Sequence, residues 1–294
     1  MVTRSAFSDE VLEWLLSMHF DCLIQEDRQS FIYQVEIKKN GQYLLCLRFR
    51  DLNSQSTPEN VSASEIAELY AEQSSLRAAG IAVVTLWEDV WYAKKEIVKS
   101  RISAILGISQ RIPGRVTEAR KIDRPTAADF LEENHLQGVV SSKIRYGLFL
   151  PERYYRVLDA DYQMDRTAKE CLVAVATFSH PRTFEREGNP FRSYELTRFA
   201  NLKNTTVVGG FDKLLHAFTS DYLPGDIMTY ADLEWSDGAS YRRLGFEAVS
   251  DKGPICFRVD PLTNTRYPEN RASGHDKLIK VYNEGSRKFV KDIR

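Results

Sequence analysis

The chain has 294 residues, 43% hydrophobic and 28% charged, with a formal net charge of −1. That length suits two domains of ordinary size, and the composition is that of a globular protein in water. The near-zero charge gives no global attraction for nucleic acid. No stretch of eighteen uninterrupted apolar residues occurs, and the first residues, MVTRSAFSDEVLEW, have no apolar signal core. The four cysteines (Cys22, Cys46, Cys171, Cys256) form no CxxC pair and no metal spacing with histidine. The expectation is a cytoplasmic protein with reduced thiols, no metal centre and no membrane partner.

Ser8-Asp9-Glu10 precedes VLEWLLSMHF, where Val11, Leu12, Leu15, Leu16 and Met18 recur at helical spacing, with Ser8 as the expected N-cap. Two apolar-rich runs, SFIYQVEIKK and QYLLCLRFRDL, are joined by Asn40-Gly41, the strongest short-range hairpin signal. Asn53 to Ser64 is polar and contains Pro58, so a loop is predicted, then a helix to Gly80. IAVVTLWEDVW reads as a buried strand and KKEIVKSRISAILG as an amphipathic helix. From Lys94 to Lys121 there are eight Lys/Arg against two Glu. Lys94, Lys95, Lys99, Arg101, Arg111 and Arg115 are therefore candidate DNA-phosphate contacts; a solvated helix face is the alternative.

The order helix, hairpin, helix, strand, helix, with GIAVVTLWEDVWYAKKEIVKSRISAILG and EARKID, resembles the nuclease domain of very-short-patch-repair-like endonucleases, within the PD-(D/E)XK restriction-type fold. The resemblance implies two strand carboxylates holding a divalent metal. Glu36 in QVEI matches the first. Arg48 in LRFRD stands where the second belongs, Asp51 lies three residues on, and the family's His-bearing loop is missing. The first half, 1–121, is thus expected to be nuclease-like without cleavage.

Arg124-Pro125-Thr126 marks the expected boundary, with Thr126 capping AADFLEENHL. SSKIRYGLFL and CLVAVATFSH read as strands. The Tyr-rich stretch 151–170 between them stays unassigned. SYELTRFANL is the next strand, predicted to put Glu195, Thr197 and Phe199 on one face and Tyr194, Leu196 and Arg198 on the other. NTTVVGGFDKLLHAFTSDY gives a loop, Gly209-Gly210 and a helix. DIMTYADLEW alternates as a strand through Trp235. Ser240 to Leu244 is a short helix stopped by Gly245, and strands around GPICFRVD and KLIKVYNEGSRKFVKD close the chain.

This order resembles the GNAT acyltransferase fold, so the second half, 122–294, is expected to be a GNAT-like mixed-sheet domain and the whole chain α/β (α+β). The resemblance implies that Val208, Gly209 and Gly210 offer backbone N–H groups to the pyrophosphate of an acyl-CoA or acetyl-CoA at a helix N-terminus. FLEENHLQG, YELTRF, VVGGFDKLL and TYADLEWSDGASYRRLGF together resemble the Mom-type DNA-modification proteins found in phage and mobile elements, which implies functional roles for His135, Asp232 and Tyr241. Glu195 or Asp232 is then the candidate base, Tyr241 the proton donor to the leaving thiolate, and His135 an orienting group or base. The expected function is N-acyl transfer on DNA. A non-catalytic DNA-binding protein is one alternative, and a metal-dependent endonuclease using Glu36 and Asp51 another.

Overall fold

The computed structural model describes residues 5–27, 32–52, 73–186, 188–271 and 277–293. The loop expected over Asn53–Ser64 and most of the helix that follows it lie outside them; only the helical residues 73–78 are described. The chain forms two compact units. The first comprises Met1–Lys95, Ala231–Ala239 and Asp251–Arg287; the second comprises Glu96–Tyr230, Ser240–Ser250 and Lys288–Arg294. The expected boundary at 121/122 falls inside the second unit. The chain passes from one unit to the other within a helix, α2 (Glu88–Ile105), one residue beyond a non-helical Lys94 (φ −137°, ψ 35°). Its amphipathic pattern continues across that point, so the sequence carries no punctuation there.

In the first unit, helix α1 (Ala6–Ser17) precedes a four-stranded sheet of order β1 (Asp21–Asp27), β2 (Ile32–Lys39), β3 (Gln42–Arg50), β4 (Ala82–Trp87). β1–β2 and β2–β3 are antiparallel and β3–β4 is parallel. The hairpin turns on Asn40 (φ 52°) and Gly41 (φ 75°), the left-handed pair that a tight antiparallel turn demands. β1 was not expected: DCLIQED shows no clean alternation. The cap of α1 is Ser5, not Ser8; Ser5 Oγ accepts the Ser8 N–H at 3.2 Å, which places Ser8 inside the first turn. A small sheet of β14 (Cys256–Asp260), β15 (Thr265–Pro268) and β16 (Ile279–Tyr282) also belongs to this unit, with Val259 and Val281 packed beside Leu52 and Trp87.

Glu234 is 5% exposed in the same unit and accepts the Trp87 indole N–H at 2.7 Å. Burial, then the neighbouring Asp232 carboxylate, raises its pKa well above the carboxylate range, against the pull of Arg266. The folded state therefore loses stability as pH rises from the unfolded carboxylate value toward the raised folded one. Glu234→Gln keeps an acceptor for Trp87 and removes the buried charge. Thermal unfolding should show it more stable than the parent by about 3 °C at pH 8, with the gap closing at pH 5.

The framework of the second unit is a sheet of order β13-β17-β12-β10-β8-β7-β6, with β9 paired to β10. Its central members are β7 (Ile144–Pro151), β8 (Glu170–Phe178), β10 (Asn189–Asn201) and β12 (Asp226–Asp232). β6 (Glu118–Lys121), β9 (Arg182–Arg186), β13 (Glu247–Lys252) and β17 (Ser286–Asp292) complete it. Helix α3 (Arg124–Asn134) covers one face through Phe130 and Leu131, against Val175 and Ala200. Helix α4 (Gly210–Tyr222) covers the other, where Phe218 stacks on Phe178 at 3.8 Å. The cap of α3 is Asp123, whose Oδ1 accepts the Thr126 N–H at 2.9 Å; Thr126 is therefore a first-turn residue. Helix α3, strands β7, β8 and β10, the Gly-Gly turn, α4, β12 and short helix α5 (Ala239–Arg243) stand in the expected order, but the strand expected at GPICFRVD is β14 of the first unit's small sheet, KLIKVYNEGSRKFVKD splits into β16 and β17, and the unexpected β13 pairs with β17.

The unassigned stretch 151–170 begins as a 3₁₀ helix, Glu152–Val157. Its tyrosines pin the rest: Tyr155 donates to Ala168 O at 3.0 Å and Tyr162 to Lys203 O at 2.7 Å. Four-residue strands β5 (Gln110–Pro113) and β11 (Thr205–Val208) form a parallel pair that the sequence did not announce.

Candidate active site in the second unit

β10 and β12 run parallel but pair only through Ser193↔Asp226, Tyr194↔Ile227 and Glu195↔Met228. Beyond Glu195 the side chain of Thr229 takes over, its Oγ1 donating to Leu196 O at 3.1 Å. On the other edge, β10 meets β8 with a bulge between Leu196 and Arg198. The extra residue, Thr197, contacts Thr177 Oγ1 at 2.8 Å. A bulge reverses the faces of all that follows. Phe199 therefore joins the Tyr194 side, stacking on Phe211 of α4 at 4.6 Å. Arg198, whose register partner is Thr177, joins the side of Glu195. The face assignment made by simple alternation holds only up to Leu196.

Tyr241 stands at this divergence. Its ring packs on Phe211 (5.9 Å), Phe246 (5.7 Å) and Phe289 (5.5 Å), and its phenol is hydrogen-bonded to Thr229. Burial raises the Tyr241 pKa, against that hydrogen bond and the charges of Arg101 and Arg198. The phenol is thus a protonated donor at neutral pH.

His135 is the C-cap of α3. Its Nδ1 accepts the Gln137 N–H at 3.1 Å, leaving the ring neutral with its proton on Nε2. Burial, then Arg101 and Arg198, pushes its pKa down to about 3. His135 is therefore a hydrogen-bond donor and not a base. Arg198 is braced over the same turn, Nε on Gly138 O at 3.1 Å and Nη1 on Thr197 O at 2.8 Å. Glu195 faces Arg198 electrostatically, and its main chain is clasped by Ser179, whose Oγ accepts the Glu195 N–H at 3.0 Å. Of the carboxylates singled out in the sequence, Glu195 is the one within this group.

The Gly-Gly turn lies at the start of α4. Gly209 has φ 75° and ψ 2°, a left-handed conformation suited to glycine, and a Cβ there would meet open space. Gly114 packs so close that a Cβ on it would lie 2.6 Å from Val208 O and 3.2 Å from Gly210 N. Lys213 donates to Gly114 O at 3.0 Å and to Thr117 O. An open glycine and a helix N-terminus suit a pyrophosphate. Asp212 in the first turn opposes it. Thr229 and Gly114 were missed in the sequence; a hydroxyl inside the apolar DIMTYAD and a glycine in RIPGRV were the available signals.

Asp232 belongs to the first unit. It ends β12, where its carboxylate accepts the Glu234 N–H at 3.1 Å and its carbonyl accepts the N–H of Trp235 (3.0 Å) and Ser236 (2.9 Å). The strand thus stops at Asp232, short of the expected Trp235. Lys94 and Lys95 are also first-unit residues, and Lys95 contacts Glu10 at 2.5 Å. In the second unit Lys99 pairs with Glu96 at 3.4 Å, Arg101 is near His135 and Tyr241, and Arg111 and Arg115 are exposed.

Glu36 is held by Gln25 (2.6 Å) and Lys38 (2.9 Å). Its register partner is Cys46, five residues before Asp51, so the two carboxylates are about 17 Å apart along the sheet. They cannot share a metal ion, which removes the Glu36–Asp51 endonuclease. Arg48 is 2% exposed with Nε 3.3 Å from Gln34 Oε1. Among the described residues no group of three or more His, Cys, Asp or Glu is placed to hold a metal, and no helix is long and apolar enough to cross a membrane.

No family model matches the sequence, and no curated protein matches it. Among solved structures, partial likenesses are found to Arabidopsis thaliana NAA60 in complex with a bisubstrate analogue (12% identity, 60% of this chain and 99% of that one, TM-score 0.37). Others are the NatC complex bound to Gag peptide and CoA (10%, 60% and 99%, 0.33) and the KacTA–DNA complex (21%, 52% and 94%, 0.28).

Proposed function

We propose that the second unit is an N-acyltransferase drawing its acyl group from acyl-CoA. The observation that carries this reading is the group at the β10–β12 divergence. Glu195 is the last residue of the parallel ladder, and the next residue pair, Leu196 and Thr229, holds Tyr241. Acyl-CoA supplies a thioester carbonyl. Glu195 takes a proton from the acceptor amine, whose nitrogen forms a bond to that carbonyl carbon as the carbon–sulfur bond breaks. Tyr241 gives its proton to the departing thiolate, and Thr229 fixes the phenol while it does so. His135 Nε2–H and Arg198 orient the acceptor. The N–H groups at Gly209 and Gly210 receive the pyrophosphate.

The acceptor we propose is a DNA base amine, in line with the resemblance to Mom-type proteins, with Arg111 and Arg115 contacting phosphate and the first unit as a nuclease-like module without cleavage. Incubation with acetyl-CoA and DNA, followed by mass spectrometry of the digested nucleosides, should show an acylated nucleoside that is missing with Tyr241→Phe. Unmodified nucleosides and no free CoA would sink it. A second reading, a non-catalytic DNA-binding protein, is favoured by Asp212 beside the Gly-Gly turn. It requires DNA affinity that falls steeply with salt and no affinity for acyl-CoA.

A further inference from the structure

The first unit contains a cavity of about 520 Å³ that the chemistry above does not use. Its walls are fixed by the backbone. Asn283 Oδ1 accepts the N–H groups of Ile255 (2.7 Å) and Gly285 (3.1 Å), and Gly285 O accepts that of Leu233 (3.2 Å). Gly285 has φ 82°, and a Cβ on it would lie 2.2 Å from Lys252 O, so only glycine closes this wall.

The hydrogen-bonding capacity left inside is mostly that of donors. Arg77 spends Nη2 on Leu233 O (2.7 Å) and Val83 O (3.0 Å); among the described residues its Nε and Nη1 have no partner. Arg287 grips Asp251 side-on through Nε (2.7 Å) and Nη2 (2.8 Å), which leaves Nη1 and occupies both Asp251 oxygens. Glu284 is occupied by Thr85 (2.6 Å) and Gln73 (2.7 Å). Asp237 accepts from Ala239 N at 3.1 Å. Lys252 adds a third cation to the lining. Burial pushes the Arg77 pKa down, against the pull of Glu284 and Asp237 and with smaller contributions from Arg48 and Arg287. Both guanidiniums line the cavity, and an oxyanion there takes up their spare donors.

We infer that this cavity binds a small organic molecule through an oxyanion, a phosphate or carboxylate group, held between Arg77 and Arg287. The volume exceeds a lone phosphate ion and suits a ligand of nucleotide or sugar-phosphate size. The site is independent of the acyl-transfer reading.

The full chain is titrated by calorimetry with inorganic phosphate, a nucleoside monophosphate, a sugar phosphate and citrate. One of the organic anions should bind saturably and more tightly than inorganic phosphate; the phosphate compounds and citrate separate the two oxyanion sources. Arg287→Gln should weaken that binding about tenfold or more. Arg77→Gln also removes two carbonyl contacts, so Gly253→Leu serves as a second variant, because a side chain there enters open space on the cavity lining. It should abolish binding with the fold intact by circular dichroism. Absence of binding to every probe, binding of inorganic phosphate alone, or equal affinity in Arg287→Gln and Gly253→Leu would overturn the proposal.

Discussion

Tyr241→Phe should leave a folded protein that turns over about 100- to 1000-fold more slowly, the usual worth of a positioned proton donor. The ring packs against Phe211, Phe246 and Phe289, and phenylalanine keeps those contacts. What is lost is the phenol hydroxyl beside Thr229. The change should fall on kcat, with KM for acetyl-CoA within about twofold, because an interaction made only as the thiolate departs does not bind the ground state. The pH dependence has a defined sign. Burial raises the Tyr241 pKa, so the phenol stays protonated, and active, beyond the ordinary tyrosine range. Loss of rate on the alkaline side should start above about pH 10, the ordinary tyrosine value. A Tyr241→Phe enzyme of undiminished kcat would remove the phenol from the chemistry.

Glu195→Gln is expected to lower kcat about 100-fold, at the lower end of general-base effects. The amide would keep the size of the side chain and the main-chain clasp with Ser179 but could not take a proton. The diagnostic readout is kcat, with KM for acetyl-CoA held within about twofold. His135 cannot substitute, because its Nδ1 lone pair is used by Gln137 and its pKa is pushed down to about 3. His135→Ala should therefore raise KM for the acceptor and leave the shape of the pH profile unchanged. An undiminished kcat in Glu195→Gln beside a kcat loss of that size in His135→Ala would reverse the two assignments.

These expectations rest on contacts the sequence showed only in part. Strong local signals were legible: Asn40-Gly41 as a hairpin, Gly209-Gly210 opening a helix, and a short helix bearing Tyr241. Caps were read one turn too late at Ser8 and Thr126, because two polar residues competed and the earlier one makes the bond. The bulge at Thr197 was invisible, since alternation has no mark for an extra residue, and it alone moves Arg198 to the side of Glu195. The division of the chain was hidden for a different reason. Residues 231–239 and 251–287 return to the first unit through long-range contacts, with no linker composition to announce them. Asp232 and Tyr241, close together in sequence, consequently belong to different units.

Acetyl-CoA should bind the second unit at the Gly209-Gly210 turn. Calorimetric titration of the full chain should show saturable binding at one molecule per chain, weakened about tenfold or more in Gly209→Val, where a side chain fills the open space over the turn and strains a φ of 75°. No heat of binding, or equal affinity in Gly209→Val, would contradict it.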